Sequence, residues 1–159
     1  MNRRRVFLTR AQLAAADTIA RTRQNENIAA GLKDSYGARA AAALELHLIG
    51  ARCEAAFAKY MRLPHVKGER KDHDVGRYQV RGRTRTSYDL ILHKSDPDDD
   101  PFVLVIGPTV WLAHGWLFDI YGWIYGREGK QPQWWGDPAG GRPAFFVPKH
   151  VLRPIETLP

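Results

Sequence analysis

The chain has 159 residues, 44% of them apolar and 26% charged, a globular composition that excludes disordered and fibrous classes. Twenty-four Lys and Arg against 17 Asp and Glu leave a formal charge of +7, which favours polyanionic partners, nucleic acid first. The single cysteine, Cys53, excludes an internal disulfide framework and an all-cysteine zinc site, and suits a reducing cytoplasm.

Taken in chain order, the basic run Arg3-Arg4-Arg5 reads as a disordered tail that assists binding. Only Val6, Phe7 and Leu8 follow it, too few for a secretory apolar segment. Thr9 with Gln12 three residues on predicts a capped helix start, with Leu8 and Leu13 closing a hydrophobic staple. That helix is expected to run to about Gln24. A second begins near Ser35 and ends at Met61, before Pro64. Leu46, Ile49, Cys53 and Phe57 recur at steps of three and four and mark its buried stripe, so Cys53 reads as a core residue.

After Pro64 a polar, mobile loop is expected from His65 to Asp74, and from Val75 the period turns to two. Strands are predicted at Tyr88–His93, at Phe102–Ile106 as its return across a turn at Ser95–Pro101 that holds the solvated aspartates Asp96–Asp100, and at Leu117–Tyr125 and Ala144–Val147. The uncharged stretch Phe102–Phe118, about 17 residues long and split by Gly107-Pro108, reads as two buried strands rather than a membrane span. Trp111, Trp116 and Trp123 are placed in the core. Helices followed by sequential strands predict an α+β fold, with N-terminal helices packed on a mixed or antiparallel sheet built from residues 75 to 147. One domain, 1–159, is expected, with 1–34 as N-terminal helix and connector and 35–159 as the core.

Several chemistries are excluded. There is no P-loop, dinucleotide-binding or nucleophile-elbow pattern, no paired-histidine zinc spacing, and the Asp96–Asp100 cluster lacks the Gly and Glu of a calcium loop. The constellation that remains is Glu54, Asp74, Gln79 and Arg81. Glu54 borders the buried stripe, and Gly50 one turn earlier leaves room for something to approach. Asp74 precedes a bend, Val75-Gly76, into a strand from which Gln79 and Arg81 project together. Each also has an ordinary reading: a surface glutamate near Arg52 and Lys59, a turn cap, and the solvated side of a strand.

Those residues sit in an ordered series of stretches: Gly50-Ala51-Arg52-Cys53-Glu54-Ala55-Ala56-Phe57-Ala58, Asp74-Val75-Gly76 with Gln79-Val80-Arg81, and Tyr88-Asp89-Leu90-Ile91-Leu92. Phe102-Val103-Leu104-Val105, Gly122-Trp123-Ile124-Tyr125-Gly126 and Ala144-Phe145-Phe146-Val147-Pro148 follow. The series resembles small phage and prophage proteins related by fold to the PD-(D/E)XK nuclease superfamily. The resemblance implies a restriction-endonuclease-like core and a catalytic set of Glu54, Asp74, Gln79 and Arg81, with Mg²⁺ held by Glu54, Asp74 and Gln79. Gln79 stands where the second acid usually is and Arg81 where the lysine is. An arginine with a pKa above about 12 stabilises phosphate charge but does not serve as a base.

The implied function is a phage-type, nuclease-like protein that binds nucleic acid, DNA more than RNA, and hydrolyses phosphodiesters with Mg²⁺. The alternative is a non-catalytic phage accessory protein binding nucleic acid or a host protein. It would work in the cytoplasm of a bacterial host, without a membrane partner, with a homodimer as one arrangement. Separately, Arg81, Arg83 and Arg85 would project from one strand face at intervals of about 6.6 Å, as nucleic-acid contacts or as a charged edge against aggregation. Tyr88, Trp134 and Trp135 are candidates for base stacking.

Overall fold

The computed structural model describes residues 2–31, 40–66 and 73–159. The order of elements is β1 (Arg4–Thr9), α1 (Arg10–Ala29), α2 (Ala40–Met61), β2 (Gln79–Arg83) and β3 (Leu90–Leu92). Then come β4 (Pro101–Leu112), β5 (Gly115–Tyr125), a short α3 (Gly126–Gly129), β6 (Trp135–Gly136) and β7 (Ala144–Val147). The fold is α+β with a mixed sheet. The expected helix start at Ser35 and the centre of the expected loop, 67–72, lie outside the described residues.

Local chemistry explains α1. The Thr9 side chain accepts from the Gln12 N–H while the Gln12 side chain accepts from the Thr9 N–H, so both partners of the expected capping box are in place. The helix runs five residues past Gln24, to Ala29. In α2, Cys53 and Phe57 are fully buried and Ile49 packs against the core, but Leu46 is 45% exposed. The stripe is carried instead by Leu48 and by Ala51, Ala55, Ala56 and Ala58, alanines whose small side chains let α2 lie close to its neighbours.

The main sheet has the order β1-β5-β4-β2, with β1, β5 and β4 antiparallel and β2 parallel to β4. A second, antiparallel sheet has the order β3-β7-β6. The two-residue period of β4 separates two cores. Val103 and Val105 join Phe57, Val80 and Phe118 on the helix side. Phe102, Leu104 and Ile106 join Leu90, Leu92 and Val147 on the side of the second sheet. A strand covered on both faces reads as a continuous apolar run, which is why Phe102–Ile106 lacks alternation. Among the described residues no helix is long and apolar enough to cross a membrane.

Four expectations are corrected. The Arg3-Arg4-Arg5 run is not a disordered tail: Arg4 and Arg5 open β1, which alternates Val6 and Leu8 inward, and the sheet therefore begins outside 75–147. Phe102 does not start a hairpin return from β3, because β3 pairs with β7. Trp123 and, in part, Trp116 are covered, but Trp111 is 65% exposed near the tip of the β4–β5 hairpin. The Asp96–Asp100 turn is solvated only in part: Asp98 and Asp99 are exposed, whereas Asp96 accepts from Arg81 and the His93 N–H and Asp100 accepts from the Gln79 amide.

Candidate functional site

Backbone packing brings α2 and β2 together at two glycines. A Cβ at Gly82 would lie 3.0 Å from Cys53 Sγ and 3.5 Å from Gly50 Cα. What approaches the helix at Gly50 is therefore β2 itself. Val80 and Gly82 face the helix core, and Gln79, Arg81 and Arg83 take the opposite side of the strand.

Glu54 lies on the helix side and is buried, 5% exposed. Arg23 of α1 donates from Nη1 to Oε1 at 2.9 Å and its Nη2 lies 2.9 Å from Oε2. His65 Nε2 lies 3.1 Å from the same Oε2. Burial by itself raises the carboxyl; the hydrogen bonds from His65 and Arg23 outweigh it and hold Glu54 below its usual range. Glu54 is thus a paired anion rather than a solvated surface residue.

Asp74 bridges the two sides of β2. Its Oδ2 accepts the Val80 N–H at 2.7 Å and lies 3.8 Å from Arg81 Nη1. Burial and the nearby charge of Glu54 push the Asp74 carboxyl up to about 6, against the opposing effects of the Val80 N–H, Arg81 and Arg23. Glu54 and Asp74 therefore share one electrostatic site.

Gln79 and Arg81 meet a different set of carboxylates. The Gln79 amide donates to Asp100 Oδ2 at 3.1 Å, and His73 Nε2 lies 3.1 Å from that same oxygen. Arg81 donates from Nη2 to Asp96 Oδ1 at 3.0 Å and stacks on Phe102, with 4.8 Å from its guanidinium carbon to the ring centre. The structure thus gathers Glu54 and Asp74, ties Arg81 to Asp74, and places Gln79 with Asp100. Among the described residues no three His, Cys, Asp or Glu side chains are grouped so as to hold a metal ion.

The expected arginine ladder breaks after two members. β2 ends at Arg83, and Arg85 lies in the following turn. Both guanidiniums lie over the Tyr88 ring, at 4.5 Å for Arg83 and 5.6 Å for Arg85. Trp135 is partly exposed beneath Lys94, at 4.4 Å, and Trp134 packs against the second core.

Arg23, His65, His73, Asp96 and Asp100 complete the site and were not expected from sequence. Asp100 had a usable signal. It immediately precedes β4, and parallel pairing of Gln79 with Phe102 sets the starts of β2 and β4 side by side. Arg23 had none, being 31 positions from Glu54 on another helix. Comparison with known proteins gives no further guide: no family model matches the chain, nor does any curated protein or solved structure.

Proposed function

We propose that this chain is a phage-type, nuclease-like protein with a restriction-endonuclease-like core, and that it binds nucleic acid, DNA more than RNA, in the bacterial cytoplasm. The observation that carries the proposal is Asp74, in the bend entering β2, whose carboxyl feels the charge of Glu54 on α2 and lies 3.8 Å from Arg81. A helix carboxylate, a bend aspartate and a strand cation at one sheet edge form the polar set that phosphodiester chemistry uses.

In the catalytic form of this reading, Glu54, Asp74 and Gln79 would hold Mg²⁺, which when bound supplies Lewis acidity and an activated water. The residues as arranged do not fit that ion. Both Glu54 oxygens are engaged by Arg23 and His65, and the Gln79 amide donates to Asp100. The same engagement of Glu54 favours the second reading, a non-catalytic accessory protein that binds nucleic acid or a host protein.

Incubation of the full chain with supercoiled duplex and with single-stranded DNA, in Mg²⁺ and in Mn²⁺, separates the two. Cleavage that is lost in Asp74→Ala is the outcome expected of the catalytic reading. Binding without cleavage in either metal leaves the accessory reading. Light scattering with and without DNA reports whether a homodimer forms.

A further inference from the structure

We propose that Arg83, Arg85 and Tyr88 form a phosphate-binding site, a pair of guanidiniums carried on one phenol ring, which takes a phosphodiester of a nucleic acid. This inference rests on the nucleic-acid reading above and names the residues that make the contact.

Several arginines elsewhere in the fold are paired with acids. Arg5, Arg23, Arg52 and Arg153 each sit beside a carboxylate at 2.6 to 2.9 Å. Arg81 is similarly engaged, by Asp96 at 3.0 Å and Asp74 at 3.8 Å. Arg83 and Arg85 differ. Among the described residues neither guanidinium has an ion-pair partner within 4.0 Å, and Arg83 Nε is buried without a hydrogen-bond partner. What holds them is the Tyr88 ring, at 4.5 and 5.6 Å.

Two like charges on one ring repel, and burial lowers the Arg83 pKa in the same sense. An anion placed between them relieves both costs. Guanidinium groups match a phosphate with paired N–H donors, and the partial burial of Arg83 strengthens that attraction over its value in water. Asp89, the carboxylate whose field reaches Arg83, lies 3.8 Å from Lys149. The one carboxylate felt by Arg83 is thus itself answered by a lysine. The formal +7 of the chain draws polyanions toward the arginine pair.

The distinction from Arg81 is quantitative. Each released counterion contributes about 0.9 to the slope of log K against log salt on duplex DNA. A ladder of three equivalent arginines would supply about 2.7 units, but a pair supplies about 1.8. The test titrates a fluorescent duplex and a fluorescent single strand at several salt concentrations, with folding checked by circular dichroism. Arg83→Ala/Arg85→Ala should lose about 1.8 units on the duplex, and Arg81→Ala under about half a unit. Arg85→Ala alone, at an exposed turn, should lose about 0.9 and serves if the double variant fails to fold. Tyr88→Phe should keep the slope, and Tyr88→Ala should reduce it.

Wild-type protein that shows no salt-dependent binding to either strand overturns the nucleic-acid reading itself. Wild-type binding with an unchanged slope in the arginine variants overturns only this site. Inorganic phosphate distinguishes the source of the anion. Competition by inorganic phosphate at concentrations far below those of chloride needed for the same effect would mark a free-phosphate site and overturn the nucleic-acid assignment.

Discussion

Asp74 illustrates how one residue couples the helix side of β2 to the strand's other face. Its carboxyl accepts the Val80 N–H at 2.7 Å, yet burial and the Glu54 charge raise its pKa from the ordinary 3.8 to about 6. Between those two values the folded chain holds more protons than the unfolded chain, so stability falls as pH rises through that window and stays lower above it. Asp74→Asn keeps an oxygen for Val80 and removes the charge. It should therefore raise stability at pH 8 by an amount of order 2 kcal/mol, with the gain vanishing near pH 4. Urea midpoints at the two pH values check this; equal midpoints at pH 8 would show that ionised Asp74 carries no cost. At this scale sequence reading singled out Glu54, Asp74, Gln79 and Arg81 by their places, at the margin of a buried stripe, before a bend and on one strand face, and by the family pattern they resemble. It missed Arg23 and His65 because the demand for them comes from the burial of Glu54, a property of the packed state.

The contact between α2 and β2 operates through what is missing from Gly82. An added Cβ would meet Cys53 Sγ at 3.0 Å and Cys53 Cβ at 3.1 Å, so the strand or the helix must give by a few tenths of an ångström. Gly82→Ala should cost about 1–2 kcal/mol, and Cys53→Ala in the same chain should recover part of that by removing the nearest atom. A double-mutant cycle in urea measures the coupling; strictly additive effects would mean that the two elements relax apart freely. Helix α1 was legible because its cap is local chemistry, written within Thr9–Gln12. Strand β7 was legible as a short apolar run with the same bounds, Ala144–Val147. Its partner was not. Pairing of Leu90 with Val147 joins segments 57 positions apart, and no local period encodes which strand answers which. Trp111 was misplaced for a related reason: β2 stops at Arg83, opposite Ile106, so the distal part of β4 extends past that neighbour.

At the scale of the whole molecule, β1 closes one edge of the sheet on which both cores rest. Val6 and Leu8 are buried in the helix-side core, and the strand pairs with β5 from Arg4↔Ile120 to Thr9↔Gly115. Asp119 of β5 is 1% exposed, and its oxygens lie 2.8 Å from Arg5 Nε and 3.3 Å from Arg3 Nε. A basic run looked like a solvated tail because the acid it answers lies more than a hundred positions away. The structure turns it into an edge strand whose positive charges neutralise a buried carboxylate. Removing residues 2–8 therefore does three things together: it exposes the β5 edge, uncovers the pocket of Val6 and Leu8, and leaves Asp119 buried without its cations. Two buried aliphatic side chains are worth about 1.5–3 kcal/mol each, and an abandoned buried charge about 3–5 kcal/mol. That sum rivals the whole stability of a typical domain, about 5–15 kcal/mol. The truncated chain should fail to give a cooperative thermal transition, whereas loss of a mere tail would leave the transition where it is in the full chain. Asp119→Asn in the truncated chain separates the contributions. It should restore part of the stability if the stranded charge dominates, and little if the lost strand pairing and apolar burial do.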